Sequence, residues 1–381
     1  MNTESLEKGT AQENNSTTKR TQISEIGKVA LLKRLFEGTP YNNSTSQMFA
    51  GRILDKAGRT RDVNNFLTVQ KTMLEGIDFD LTYTPLKHLG YKAALLALGG
   101  IYAKCHTPVA LTFSLGLSAR FCVEDIAEFW GGVVGACKEH NIQQLSLDLG
   151  ASMTGLNIAI TACGVQSAKV AATVPAVDNT CLLCLTGNVG AAYMGLHVLE
   201  REKIAFNRIP AERAAEYVQP DLSRYKYILS QYLSPEINPK TTEQFREAKL
   251  FPACGYFITN GLAAAVKQLC DDHNVGAKIY LGKIPIASQT FAMAEELNMD
   301  AITAALNGGD DYKFLFAVPV QEHERFHKEF PNVDIIGHLC KPEVGSVLVS
   351  FYNRCEVALF FFQSGKTLLI ACYQPNHYVS N

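Results

Sequence analysis

The stretch that most limits the fold of this chain lies between residues 108 and 149. "PVALTFSLGL" alternates apolar with small or polar residues at a period near two, the pattern of a half-buried strand. In "VEDIAEFWGGVVGACKEH", Val123, Ile126, Ala127, Trp130, Val133, Val134 and Cys137 share one helical face. "QQLSLDL" returns to an extended pattern, and "LNIAITACG" repeats it. A strand, an amphipathic helix and two further strands in this order call for a mixed α/β architecture, because the apolar stripe of such a helix needs a sheet face to cover it.

The alternation recurs on both sides. "ISEIGKVALLKRLF" has helical spacing, "NNFLTVQKTMLEG" reads as a strand ending in a loop, and "PLKHLGYKAALLALGGIYAK" is a long apolar helix with Pro near its start. A second series begins with strand "CLLCLTG" and helix "NVGAAYMGLHVLERE", followed by mostly helical residues 207–250. "YFITNGLAAAVKQLC" is strand, turn and helix; "AKIYLGKIPI" and "YKFLFAVPV" are strands; "QEHERFHKEF" is a helix. The 381 residues suit two domains better than one small core. The expected division is a polar tail over 1–22, a first α/β domain over 23–165 and a second over 166–381, joined through "VQSAKVAATVPAVDN".

Composition narrows the class. Hydrophobic residues at 47% with 19% charged residues are those of a globular chain. A formal net charge of −2, with no basic run carrying interleaved aromatics, gives no reason to expect a nucleic acid or an anionic membrane as partner. Eleven cysteines, mostly inside apolar segments, read as reduced, buried thiols of a cytoplasmic protein. "MNTESLEKGTAQENNSTTKR" lacks the apolar core of a secretory signal and reads as a disordered tail. "VALFFFQSGKTLLIACY" is cut by Ser364, Gly365 and Lys366, so it predicts a β-hairpin and not a membrane span.

Several motifs have an ordinary packing explanation beside a chemical one. "LTGNVGAAYMG" (185–195) passes from strand through glycines into a helix whose first amides could hold a phosphate, or simply pack closely. It lacks the Lys-Ser/Thr of a P-loop. "ITNGLAAAV" repeats the design, with Thr259 or Asn260 as the expected N-cap. Cys181 and Cys184 form a CxxC without a second pair at metal spacing, which points to a buried strand. His323 and His327 stand at i, i+4 on a charged helix and read as a solvated face. The acids are more telling: Glu75, Asp78 and Asp80 in "LEGIDFDL", Asp148 in "LSLDL", and Asp310 and Asp311 after Gly-Gly. Carboxylates dispersed at strand ends are what magnesium-dependent phosphoryl transfer needs, if the fold brings them together.

In order and wording, "LEGIDFDLTYTPLKHLGYKAA", "LTGNVGAAYMGLHVLERE", "KIYLGKIPI", "AMAEELNMDAITAALNGGDDYKFLF" and the closing "QPNHY" resemble thiamine-monophosphate kinase, of the aminoimidazole-ribonucleotide-synthetase-like superfamily. The resemblance runs from about Ile23 to the C-terminus. It implies two tandem α/β domains, a homodimer joined through the N-terminal sheets, ATP and Mg²⁺ as cofactors, and thiamine monophosphate as phosphate-bearing acceptor. Carried over residue by residue, it puts Asp148, Asn260 and Lys71 at the catalytic positions and Asp148 at a metal position. It puts Trp130, Leu147, Asp148, Thr259 and Asn188 at the nucleotide, and Asp78, Asp310, Asp311 and Pro375 at the acceptor.

The departures from the family are concentrated on its carboxylates. Positions where it has metal-binding aspartates hold Lys71, Gly100, Phe257 and Asn260, and a first Asp-Asp pair falls near Phe49 and Ala50. The aspartate of the glycine loop is Asn188, and a nucleotide-site arginine falls on Thr173. Around the retained Asp148, glycines have become Ser146 and Leu147, and threonines Leu149 and Gly150. On the acceptor side a histidine is Asp78 and the C-terminal aromatic is Pro375. The expectation is a chain that keeps the kinase fold with weak or lost Mg-ATP catalysis. Two alternatives stay open: an active kinase with a metal site rebuilt from Asp148, Asp310, Asp311 and Glu75, and a non-catalytic dimeric ligand-binding or regulatory protein.

Overall fold

The computed structural model describes residues 20–41, 52–54, 60–62, 66–209, 221–349, 356–361 and 368–373. Residues 1–19 of the expected tail, Phe49, Ala50 and Pro375 lie outside them. Helix α1 (Ile23–Phe36) is broken at Gly27, where φ is 77°. Strands β1 (Arg52–Leu54) and β2 (Thr60–Asp62) form a small antiparallel pair. Then come β3 (Phe66–Leu74), α2 (Leu86–Ala103), β4 (Thr107–Leu117), α3 (Val123–Glu139), β5 (Gln144–Ala151) and β6 (Leu156–Val165). These four strands form a mixed sheet in the order β3-β6-β4-β5, parallel only between β4 and β5.

The second half starts with a short helix, α4 (Ala168–Ala171), then β7 (Leu182–Thr186), α5 (Ala191–Asn207), α6 (Lys226–Leu233) and α7 (Thr241–Ala248). It continues with β8 (Cys254–Ile258), α8 (Leu262–His273), β9 (Gly276–Tyr280), α9 (Ser288–Glu296), α10 (Ala301–Asn307) and β10 (Lys313–Val318). It closes with α11 (His323–Glu329), β11 (Val333–Cys340), β12 (Ser346–Val349), β13 (Glu356–Phe361) and β14 (Leu368–Tyr373). The eight strands order as β14-β13-β12-β9-β11-β7-β10-β8, and only β12 runs parallel to its neighbour β9. Two mixed sheets, one per half of the chain, are thus the architecture. The pair β13–β14 is the hairpin expected from "VALFFF" and "TLLIACY". The inner strand β11 was not expected from pattern, because a register shift between Ile335 and Gly337 interrupts its alternation.

Helix α2 joins the two halves. It is buried almost all round, as a helix with no polar face must be. Where it crosses α3 the backbones nearly touch: a Cβ at Gly90 would lie 1.9 Å from the Phe129 carbonyl oxygen, and one at Gly132 1.9 Å from that of Lys87. The apolar face of α3 is therefore wider than its spacing predicts, taking in Phe129 and Ala136, whereas Ala127 is exposed. Cys181 and Cys184 are both buried and belong to cores on opposite faces of the large sheet. All nine cysteines with described side chains are free. No helix among the described residues is long and apolar enough to cross a membrane.

Candidate functional site

A cleft of about 710 Å³ opens between the first sheet with α2 and elements of the second half of the chain. It is lined by the end of β3 and its following loop, by α5 and α6, by the turn into α8, and by the loop between α10 and β10. Of the residues singled out in the sequence, the cleft gathers Lys71, Asp78, Asp80, Thr259, Asn260 and Asp310. Convergence of polar groups from distant segments on one concavity marks it as the candidate site.

The local reasons for this convergence are visible residue by residue. In "LNGGDDYKFLF" the loop turns through left-handed conformations at Gly309 (φ 82°), Asp310 (φ 58°) and Tyr312 (φ 53°). It is held there because the Asp310 amide donates to the Thr259 carbonyl at 2.8 Å and the Tyr312 amide to that of Ile258 at 3.0 Å. Neither Thr259 nor Asn260 caps α8. The cap is Gly261, with φ 90°, and a Cβ there would lie 2.4 Å from the Leu306 carbonyl oxygen. Thr259 and Asn260 are thereby left on the cleft wall.

The acids have partners, and these are protein groups. Asp310 accepts from Lys92 Nζ at 3.0 Å; the Lys92 side chain is 4% exposed and its ammonium sits 3.8 Å from the centroid of the Tyr232 ring. Asp80 pairs with Lys203 at 2.7 Å. Burial pushes the Asp80 carboxyl up, but hydrogen bonds from Lys203 and from the side chain and amide of Thr82 outweigh it and bring it to about 2. Lys203 also reaches Glu200 at 3.4 Å, and the Tyr83 hydroxyl donates to Glu200 at 2.5 Å. Asp78 accepts the Leu74 amide at 2.7 Å. Glu75 is paired with Arg120 and accepts the Leu156 amide at 2.8 Å. Asp311 lies behind the cleft, 4% exposed, with one oxygen accepting the Gly190 amide at 2.7 Å and the other unpartnered. Burial pushes its carboxyl up to about 8 against the opposing effect of the Gly190 bond, so it is largely protonated at neutral pH.

Lys71 stands apart. It is half-buried on edge strand β3, lines the cleft, and has no ion-pair partner among the described residues. Cross-strand register places Lys71, Ile160, Phe113 and Leu147 in one row on the core face. Thr72, Ala159, Ser114 and Asp148 form the adjacent row, on the opposite face. Asp148 is therefore exposed on the outer side of the sheet, three strands and about 14 Å of sheet width from Lys71. Trp130 and Leu147 are 2% and 1% exposed within the core, Trp130 packed on Phe36 and Phe113, so the fold gives neither a surface for a ligand. Asn188 is half-buried with its side chain 3.5 Å from the Tyr227 hydroxyl, and Thr173 is exposed on a turn. Neither lines the cleft.

Mg²⁺, which the resemblance implies, does not fit the described donor set. Among the described residues no three His, Cys, Asp or Glu side chains could hold a metal. Asp148, Asp310, Asp311 and Glu75, the acids of a rebuilt site, are scattered over an outer sheet face, the cleft, a buried pocket and an Arg120 pair. Two positions that the resemblance aligns with metal aspartates, Gly100 and Phe257, are filled by packing. A Cβ at Gly100 would lie 2.8 Å from Val69 Cγ1, and one at Gly99 2.3 Å from the ring of Phe257. Phe257 packs in turn on Tyr312 and Phe314, with centroids 5.3 and 5.4 Å away.

Sequence reasoning missed Lys92, Lys203, Tyr83, Glu200 and Tyr232, all on or beneath the cleft wall. Only Lys92 carried a usable signal, as a lone cation in the apolar run "GYKAALLALGG".

No family model matches the chain. It is 24% identical over 313 residues to the thiamine-monophosphate kinase of Buchnera aphidicola subsp. Schizaphis graminum, covering 79% of this chain and 87% of that one. The thiamine-monophosphate kinase of Aquifex aeolicus is 22% identical over 305 residues, covering 80% and 89%. Among solved structures, that Aquifex aeolicus kinase superimposes with a TM-score of 0.61 at 18% identity, covering 86% of this chain and 98% of that one. E. coli HypE, a hydrogenase maturation protein, gives 0.62 at 13% identity, covering 88% and 97%. The fold is shared by both groups of proteins.

Proposed function

We propose, from the premise that this chain is a distant member of the thiamine-monophosphate kinase family, that its interdomain cleft binds a small phosphate ligand of the family's kind while Mg-ATP phosphoryl transfer is weak or lost. The family reaction is ATP-dependent phosphorylation of thiamine monophosphate to thiamine diphosphate. Support for ligand binding comes from relatives of the same fold: AaThiL has been solved with AMPPCP and TMP, and HypE with ATP.

One observation carries the loss of rapid catalysis. Phosphoryl transfer between two anions needs several divalent charges held by unengaged carboxylates. Here Asp80, Glu200 and Asp310 are already engaged by Lys203, Tyr83 and Lys92, and Val69 and Phe257 pack against helix positions 100 and 99. A homodimer through the open face of the four-stranded sheet belongs to the same reading, and light scattering on the full chain tests it. The decisive experiment measures ADP formed from ATP and thiamine monophosphate. Turnover is expected near background. Robust Mg²⁺-dependent turnover, abolished in Asp148→Ala, would sink the proposal in favour of an active kinase. A chain that no thiamine phosphate or nucleotide stabilises against heat would fit a purely structural partner.

A further inference from the structure

The disagreement between the expected metal and the observed donors has a consequence for what the cleft can hold. Its carboxylates are neutralised from within: Lys203 is shared between Asp80 and Glu200, and buried Lys92 serves Asp310. Asp78 is the one lining carboxylate without a cationic partner among the described residues, and one of its oxygens is taken by the Leu74 amide. Lys71 is the one lining cation without an anionic partner among them. It projects from the core face of β3, in the row that also carries Val69 and Met73. Thr259 and Asn260 line the same cleft from the other domain and offer uncharged hydrogen-bonding groups.

We infer that the cleft binds the phosphate end of its ligand directly on Lys71, as a metal-free anion, with Thr259 and Asn260 supplying hydrogen bonds across the cleft. The ligand class is a phosphate or diphosphate ester presented without a divalent ion. An ammonium on a four-carbon stem serves as a compact point charge for such a group, and a half-buried one is screened less than a surface lysine. Val69 packs on Gly100 and Phe257 on Gly99, none of them part of the cleft lining, whereas Lys71 on the same strand as Val69 does line the cleft. This inference rests on the reading of the cleft as a phosphate-ligand site.

The test is calorimetric titration of the full chain with inorganic pyrophosphate and, separately, with ADP, in excess EDTA and in excess Mg²⁺. Binding is expected in EDTA at an affinity no weaker than in Mg²⁺. Lys71→Met should weaken it at least about tenfold, the loss of one charge-assisted contact, while Lys71→Arg retains most of it. Lys267→Met, which removes an exposed cation paired with Asp271 on α8, should leave it unchanged. Circular dichroism and thermal unfolding of Lys71→Met establish that it remains folded. Binding that requires Mg²⁺, equal binding by Lys71→Met and wild type, or no binding of either probe would each overturn the inference. Thiamine monophosphate that fails to bind while pyrophosphate still binds through Lys71 would instead overturn the thiamine reading alone.

Discussion

The two walls of the cleft have met the problem of charge in different ways. On one side, β3, α2 and β8 carry Lys71, Gly100 and Phe257, the positions at which the resemblance to the kinases would put metal aspartates; of the three only Lys71 lines the cleft. Gly100 and Phe257 are absorbed into packing, with Val69 and the Phe257 ring lying against helix positions 100 and 99. On the opposite wall the acids of "LNGGDDYKFLF" persist, stabilised by Lys92 and by the Gly190 amide. One side is held by contact; the other carries the Asp310–Lys92 ion pair. The contact is mutual: a small residue on the helix and a large one on the strand fit only together. This is why placing an aspartate at a packed position should damage the fold before it creates a metal site.

The largest effect should come from the charged wall. Asp310→Asn leaves Lys92, 4% exposed, without its counter-ion. It is expected to cost about 3 kcal/mol, in the range for breaking a buried pair from one side. Lys92→Met should cost less, because the Asp310 side chain is 33% exposed and water can serve it. Urea unfolding of both variants checks the order, and the reverse order would break the account of this wall. The packed wall should respond next. Gly100→Asp puts a side chain where even a Cβ lies 2.8 Å from Val69, with an expected loss of about 2 kcal/mol from overpacking and desolvation. Wild-type stability together with a gain of Mg²⁺ binding would refute the idea of a sealed wall.

A pH-dependent effect on the charged wall belongs to Asp311. Its folded carboxyl is raised to about 8, far above the ordinary carboxylate value near 3.9. The folded state therefore binds more protons than the unfolded state between those limits. Its stabilising contribution is complete below the lower limit and is lost as pH rises through about 8. Unfolding measured from pH 5 to 8 should show stability falling by at most about 1.4 kcal/mol per pH unit from this group, and Asp311→Asn should flatten that component. Smallest of all should be the effect of Asp148→Ala on the cleft: Asp148 lies on the outer sheet face and does not line it, so pyrophosphate binding should stay intact, measured by the same calorimetry.

Much of the fold was legible because its periodicities are clean. The alternation in "PVALTFSLGL", the α3 face from Val123 to Cys137 apart from Ala127, and the C-terminal hairpin appear where the pattern puts them. The site was legible in part, since Lys71, Asp78, Thr259, Asn260 and Asp310 do meet in one cleft. The misses share a cause. Thr259 and Asn260 suit an N-cap by residue type, yet the close approach of α10 leaves room only for Gly261 there. Lys92 and Lys203 look like ordinary helix lysines until their acids arrive from 218 and 123 residues away along the chain.

By itself the sequence determined the alternation of helices and strands and the division of labour between apolar and polar segments. Those properties are local, or depend only on residue type. Which face of the first sheet each residue occupies was decided by strand register, and it separates Lys71 from Asp148. Which acids are already neutralised was decided by contacts between residues far apart in sequence. Charge and space are shared across the folded molecule, so only the tertiary structure could turn a pair of acids after Gly-Gly into one carboxylate held by a buried lysine and another held protonated behind the cleft.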